Sequence, residues 1–293
     1  MTLAARAPAT RYGVRVQPIA ASDVSRASDI IGLMKTRYEG VRGWANFPLL
    51  NRDGDPWDVE TPNRTEPGVA TPWLAEFPDL QRILQSSFSD FVIHYARVAG
   101  LGPREILRPH RDSADYARLL FLFNEQGTHF RHLFGDTCVH IRPLEVWGVD
   151  GAVMHAAANI AKHGQRFALL LDVTPKPTPR THWFARPWEI PDQAHVVRRD
   201  WDACSREKAH NAARQIYTRH GIEPLREFWR LLPFLFRMHA RDSDIELHRF
   251  YRAMQSIQDT REDWGALAWN LEHPSLPFEV PVEAASSSAD SRC

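Results

Sequence analysis

The sequence predicts a mainly β fold, a sandwich or barrel of short strands with helices flanking it. Three observations carry that expectation. In residues 90–173, short runs follow one another, FVIHYARVAG, ARLLFLF, THFRHLF, CVHIRPLEVWGV, AVMHAAANI and RFALLLDV, with Gly, Asn, Asp or Pro between most of them. Strands at such spacing belong to sandwiches and barrels. Ahead of them lie mixed helix and strand signals. Behind them, apolar residues recur at helical spacing.

Taken in order, the first dozen residues are expected to be disordered. SDVSRASDIIGLMKTRY then reads as a capped helix with Ile30, Ile31, Leu33 and Met34 on its apolar side. Strand candidates lie around residues 44–50, and a helix is expected over 72–85, with Trp73, Leu74, Phe77, Leu80, Ile83 and Leu84 facing inward. After the β region, TPKPTPRTHWFARPWEIP is too rich in proline for a regular element and reads as a linker or wrapping loop. Residues 198–254 read as helical. EPLREFWRLLPFLFRMHA places Leu225, Phe228, Trp229 and Leu232 at helical spacing, with Pro233 set to kink or split the run, and SDIELHRFYRAMQSI forms a second helix capped at Ser243 or Asp244. The aromatic helix reads as core rather than as a docking face. The expected division is a disordered N-terminus (1–12), a β domain with its N-terminal elements (13–190), a helical region (191–283) and a disordered tail (284–293).

Composition excludes several classes of function. The chain has 293 residues, and its 36 basic and 36 acidic residues cancel, so there is no global field to collect nucleic acid or an anionic membrane. Cys138, Cys204 and Cys293 are odd in number, and no CxxC pair occurs among them. That argues against a disulfide framework and a cysteine-built zinc site. No run approaches the roughly 18 apolar residues of a membrane span, and no signal-peptide core opens the chain. A cytoplasmic protein is expected. Fourteen histidines raise the prospect of a metal or proton-transfer site.

The stretch ILRPHRDSADYARLLFLF sets His110 and Asp112 two residues apart at the end of a strand. Residues i and i+2 of a strand share a face, so one imidazole and one carboxylate can meet at a common point. Alone, such a pair is most often a surface turn. A second imidazole from His155, in VMHAAANI, completes a set of two histidines and one carboxylate, which suits Fe(II) with open positions left over. Arg166 opens the apolar strand FALLLDV. A buried guanidinium is costly unless it meets an anion, and its flat fork matches a carboxylate of a dicarboxylate cosubstrate. His129, His132 and His140 read as solvent-facing or mouth-lining histidines, and Asn159 as a backbone-bonding side chain near the metal strand.

These residues carry a resemblance. HYARVAG, ILRPHRDSADYARLLFLF and LEVWGVDGAVMHAAANIAKHGQRFALLLDV resemble the aspartyl/asparaginyl β-hydroxylase-like family, and within it the bacterial free amino-acid hydroxylases of proline cis-4-hydroxylase and proline 3-hydroxylase type. The resemblance implies a double-stranded β-helix (jelly roll) core with a helical C-terminal appendage. It places the iron ligands on His110, Asp112 and His155, and the 2-oxoglutarate arginine on Arg166. Where the family has R-V-H the chain reads Arg118-Leu119-Leu120, and Arg118 is expected to touch a carboxylate of 2-oxoglutarate or of substrate. Arg97 and Trp147 are candidate substrate contacts. The implied reaction is hydroxylation of an unactivated C–H of a free L-amino acid, proline-like, pipecolate-like, or longer and basic or polar, with Fe(II), 2-oxoglutarate and O₂. The alternatives are a protein side chain or carrier-tethered amino acid as target, or a non-catalytic jelly-roll interaction protein.

Overall fold

A computed structural model of the chain describes residues 9–12, 16–38, 44–59, 66–112, 117–122, 124, 130–135, 137–161, 163–177, 190, 192–238 and 249–250. The chain divides into two compact units, Met1–Val197 and Arg198–Cys293.

The first unit begins with strand β1 (Ala9–Tyr12), which pairs antiparallel with Val146–Val149. These residues were expected to be disordered. Pairing supplies partners to the backbone groups at a sheet edge that otherwise stand open. Helix α1 (Ala21–Arg37) follows, with Ile30, Ile31 and Met34 buried. Leu33, expected on the same side, is 47% exposed. The expected cap is also absent, since no side chain of α1 caps it. Instead the Ala20 amide at its N-cap donates to Asp79 Oδ2 at 2.9 Å, so a carboxylate distant in sequence serves that end of the helix.

Strands β2 (Trp44–Asn51) and β3 (Val69–Ala70) come next. The helix expected over 72–85 is interrupted. A 3₁₀ turn spans Pro72–Glu76, and α2 runs over Pro78–Ser86. Pro78 has no amide to donate and forces the residue before it out of helical backbone, and Phe77 sits at φ −126°, ψ 74°.

Eight strands are then divided between two sheets: β4 (Phe91–Leu101), β5 (Ile106–His110), β6 (Ala117–Leu122), β7 (Phe130–Phe134), β8 (Thr137–His140), β9 (Val146–Val149), β10 (His155–Asn159) and β11 (Arg166–Pro175). The larger sheet has the order β1-β9-β6-β11-β4-β2-β3 and the smaller β5-β10-β7-β8. The pairings are antiparallel throughout. This is a double-stranded β-helix.

Period-two alternation explains why the central strands read as unbroken apolar runs. Leu119, Phe121, Leu169 and Leu171 pack with α1 and α2 on one face of the larger sheet. Leu120, Leu122 and Leu170 point the other way, into a core shared with Phe130, Phe134 and Val139 of the smaller sheet. Trp147, a candidate substrate contact, lies in this core at 0% exposure, its indole N–H donating to Glu145 Oε2 at 3.1 Å. Asn159 bonds backbone as expected, donating to Leu101 O at 3.2 Å and Gly164 O at 2.9 Å.

The second unit holds β12 (Arg199–Asp200), α3 (Ala203–His220), α4 (Ile222–Leu235) and β13 (Phe236–Arg237), the two short strands pairing in parallel. Asp202 caps α3 by accepting the Ser205 amide at 2.7 Å. Leu225, Trp229 and Leu232 are buried in its core, and Pro233 sits in the last turn of α4, which ends two residues later. The expected helix SDIELHRFYRAMQSI falls almost wholly outside the described residues, as do most of the proline-rich segment and His129. Cys138 is buried and free. Among the described residues no helix is long and apolar enough to cross a membrane.

Candidate metal centre

Strand β5 delivers His110 at its last position and β10 delivers His155 at its first, and the two are directly opposed in the antiparallel pair. Their rings lie 4.3 Å apart between centroids. The chain leaves β5 with Asp112 anchored through its amide to Gly151 O at 2.8 Å, which brings the carboxylate back over the two rings. One potential ligand atom from each of His110, Asp112 and His155 lies within 4.8 Å of the others.

The protons can be assigned from the partners. His110 Nδ1 lies 2.7 Å from Arg108 O and His155 Nδ1 2.9 Å from Val153 O. A carbonyl only accepts, so each Nδ1 carries the hydrogen and each Nε2 presents a bare lone pair. Those Nε2 atoms stand 3.7 Å and 3.4 Å from Asp112 Oδ1 and Oδ2. Burial first, then the neighbouring His155, push His110 down to about 4. Burial also lowers His155. Both rings are therefore neutral near pH 7. Asp112 Oδ2 is itself buried, with the Arg118 guanidinium against it. Three lone-pair donors facing one another without a shared proton fit a divalent cation bound by nitrogen and oxygen, and backbone carbonyls already fix both ring tautomers.

Arg118, expected to touch a carboxylate of 2-oxoglutarate or of substrate, lines the cavity described below and also pairs with carboxylates of the protein. Its Nε donates to Asp172 Oδ1 at 2.7 Å and its Nη2 to Asp172 Oδ2 at 3.1 Å, a two-pronged buried pair across β6 and β11. Its Nη1 lies against Asp112 Oδ2. Two protein carboxylates thus surround this guanidinium, which braces the one beside the histidines. Asp172, 2% exposed, was missed in the sequence, although it shares a strand face with Arg166 and Leu170.

A cavity of about 510 Å³, counted to its open side, joins the metal cluster to Arg166. Leu107, Leu120, Val149 and Leu170 give it apolar walls, and Arg97 lines it too. Arg97 Nε has no hydrogen-bond partner, and its guanidinium lies 5.4 Å from the Tyr95 ring centroid. Arg166 is 1% exposed. Its Nη2 lies 2.6 Å from His132 Nε2, while Nε and Nη1 have no partner among the described residues. Desolvation pulls its pKa down to about 9. A buried cation with two unanswered donors is an anion site. His132, expected at the surface or mouth, is 4% exposed and packs beside this arginine.

The comparisons agree with this geometry. A profile of aspartyl/asparaginyl beta-hydroxylases matches residues 17–175. L-proline cis-3-hydroxylase 2 of a Streptomyces species is 28% identical over 127 residues, 41% of this chain and 43% of that protein. L-proline cis-4-hydroxylase of Rhizobium meliloti (strain 1021) is 24% identical over 132 residues, 44% of this chain and 47% of that protein. The chain thus matches under half the length of these curated relatives.

Proposed function

The chain belongs to the aspartyl/asparaginyl beta-hydroxylase family, and from that premise we propose that it is an Fe(II)/2-oxoglutarate-dependent dioxygenase hydroxylating an unactivated C–H bond of a free amino acid. The observation that carries this reading is the meeting of His110, Asp112 and His155 within 4.8 Å of one another in the cavity that holds the buried, unanswered guanidinium of Arg166.

Each group has a task in that reaction. His110, Asp112 and His155 would hold Fe(II) through two imidazole nitrogens and one carboxylate. When bound, the iron would let O₂ act as the oxidant of both partners, 2-oxoglutarate going to succinate and CO₂ and the substrate C–H to C–OH, with one oxygen atom of O₂ ending in each product. Arg166 takes the distal carboxylate and so directs the keto-acid end toward the ligands. Arg118 keeps Asp112 oriented. Leu107, Leu120, Val149 and Leu170 keep water from the reacting centre. Arg97, half-buried in the cavity wall, takes the α-carboxylate of the substrate. The L-proline hydroxylase names of the relatives support a free amino acid as that substrate.

The test is a screen of free amino acids with iron, 2-oxoglutarate and O₂, read by mass for the gain of one oxygen atom. A hydroxylated free amino acid is the expected result. Hydroxylation confined to a peptide or a carrier-bound amino acid would move the target to a tethered residue.

A further inference from the structure

Residues 52–59, which follow β2, belong to no helix or strand, yet side chains hold their backbone closely. Five consecutive carbonyls there, those of residues 55–59, accept side-chain hydrogen bonds. Asn51 Nδ2 donates to Asp55 O at 2.6 Å and to Asp58 O at 3.1 Å. Trp73 Nε1 donates to Pro56 O at 3.0 Å, the Tyr38 hydroxyl to Trp57 O at 2.8 Å, and the Tyr95 hydroxyl to Val59 O at 2.6 Å. Asn51 is 0% exposed, and its Oδ1 also accepts the Gly54 amide at 2.7 Å. Trp57 meets Trp73 edge-on at 5.7 Å, with the Arg37 guanidinium 4.1 Å from the Trp57 ring centroid. A surface loop can leave its carbonyls to water, so this degree of bracing fixes a shape.

Tyr95 carries that shape toward the cavity. It stands two residues before Arg97 on β4, so the two share a strand face. Arg97 and Leu170, directly opposed across β4 and β11, both line the cavity. Tyr95 lies outside that lining and is 1% exposed, and the Arg97 guanidinium carbon lies 5.4 Å from its ring centroid, within reach of a cation–π contact. Arg97 Nε has no hydrogen-bond partner among the described residues, so the ring rather than a bond at Nε orients that part of the fork. Burial raises the phenol above its ordinary pKa, which keeps its O–H a donor. The ring is thereby fixed at both ends, by the strand at one and by Val59 at the other.

We infer that Tyr95 is a positioning residue that couples the braced loop 51–59 to Arg97, so that this loop, from outside the cavity, sets where the substrate carboxylate is held. The inference rests on the reading that Arg97 takes that carboxylate. A long cationic side chain has many rotamers, and a ring face that cannot turn selects among them before the ligand arrives, which lowers the ordering cost of binding.

The experiment uses the Zn(II)-loaded full chain, which binds without turnover, and two readouts. The first is the NMR signal of the Arg97 Nε–H in chain carrying ¹⁵N-arginine, assigned by its loss in Arg97→Lys. The second is calorimetric titration with 2-oxoglutarate and then with L-proline, the amino acid named by the relatives. Tyr95→Leu removes the ring. It should move the Arg97 signal and weaken L-proline about tenfold, as loss of a desolvated cation–π contact implies, with 2-oxoglutarate binding unchanged. Asn51→Ala alters no residue of the cavity lining. It should move the same signal and weaken L-proline alone about two- to tenfold. Tyr95→Phe, which keeps the ring and loses the bond to Val59, should act as Asn51→Ala does, and it decides the question if the other variants do not fold. An Arg97 signal that stays in place in these variants would overturn the inference, and so would an equal loss for both ligands, which marks general damage. A signal that moves while L-proline binding holds, in these variants and in Arg97→Lys alike, removes instead the reading of Arg97 as the substrate contact.

Discussion

At the scale of single residues, the account rests on Asp112 and Arg166. Asp112→Ala removes the only anionic ligand of the cluster. It should abolish hydroxylation and weaken iron binding, measured by activity and by metal titration of the folded variant. Near wild-type activity would show that the metal lies elsewhere. Arg166 makes a pH prediction with a definite sign. Burial pulls its pKa down from the ordinary guanidinium range to about 9 in the folded chain. A base whose folded pKa is depressed costs stability while it is charged, so folding is relieved, not harmed, as pH rises through about 9. Anion binding runs the other way, because it needs the cation. The affinity for 2-oxoglutarate should be level up to about pH 8 and fall by up to about tenfold per unit well above 9, as titration across that range would show. The ligand histidines, Asp112 and Arg166 were legible because their spacing matches strand geometry and because a charge in an apolar run calls for a partner. His132 was legible in principle too. In FRHLF it alternates with Phe130 and Phe134 and must share their buried face, a signal hidden by treating the nearby histidines as one group.

At the scale of elements, the pairing of β6 with β11 carries the Arg118–Asp172 bridge. Asp172→Asn leaves Arg118, 5% exposed, without its main counter-charge, and breaking such a pair by one partner costs about 3–5 kcal/mol. The thermal midpoint should fall accordingly. Replacing both residues, as Arg118→Met with Asp172→Leu, should cost less than the single change, since no unpaired charge is then buried. The two variants compared by chemical denaturation give the answer, and a double variant less stable than the single one would contradict it. No sequence pattern announced this bridge. RFALLLDV signals its acid only once β11 is known to lie beside β6. The same limit applies to α1, whose N-terminus is served by Asp79 of α2, a contact between segments far apart in the chain. The break at Pro78, by contrast, was written in the sequence. Its missing amide and the constraint on Phe77 are local effects.

At the scale of the whole molecule, alternation and turn residues made the β core legible, but not the order β9-β6-β11-β4 against β5-β10-β7-β8. Strand order depends on which apolar faces meet across the two sheets, and periodicity says only that such faces exist. That order is what brings His110 opposite His155 and aims Arg166 into the same cavity. The central claim is that this cavity couples 2-oxoglutarate cleavage to hydroxylation through a metal on His110, Asp112 and His155. The most direct measurement uses isotopically labelled dioxygen with the Fe(II)-loaded chain, 2-oxoglutarate and the amino acid found by screening. The account predicts one labelled oxygen atom in succinate and one in the hydroxylated amino acid, with neither product from Asp112→Ala. Labelled products formed equally by Asp112→Ala, or no succinate from an iron-loaded wild-type chain, would contradict it.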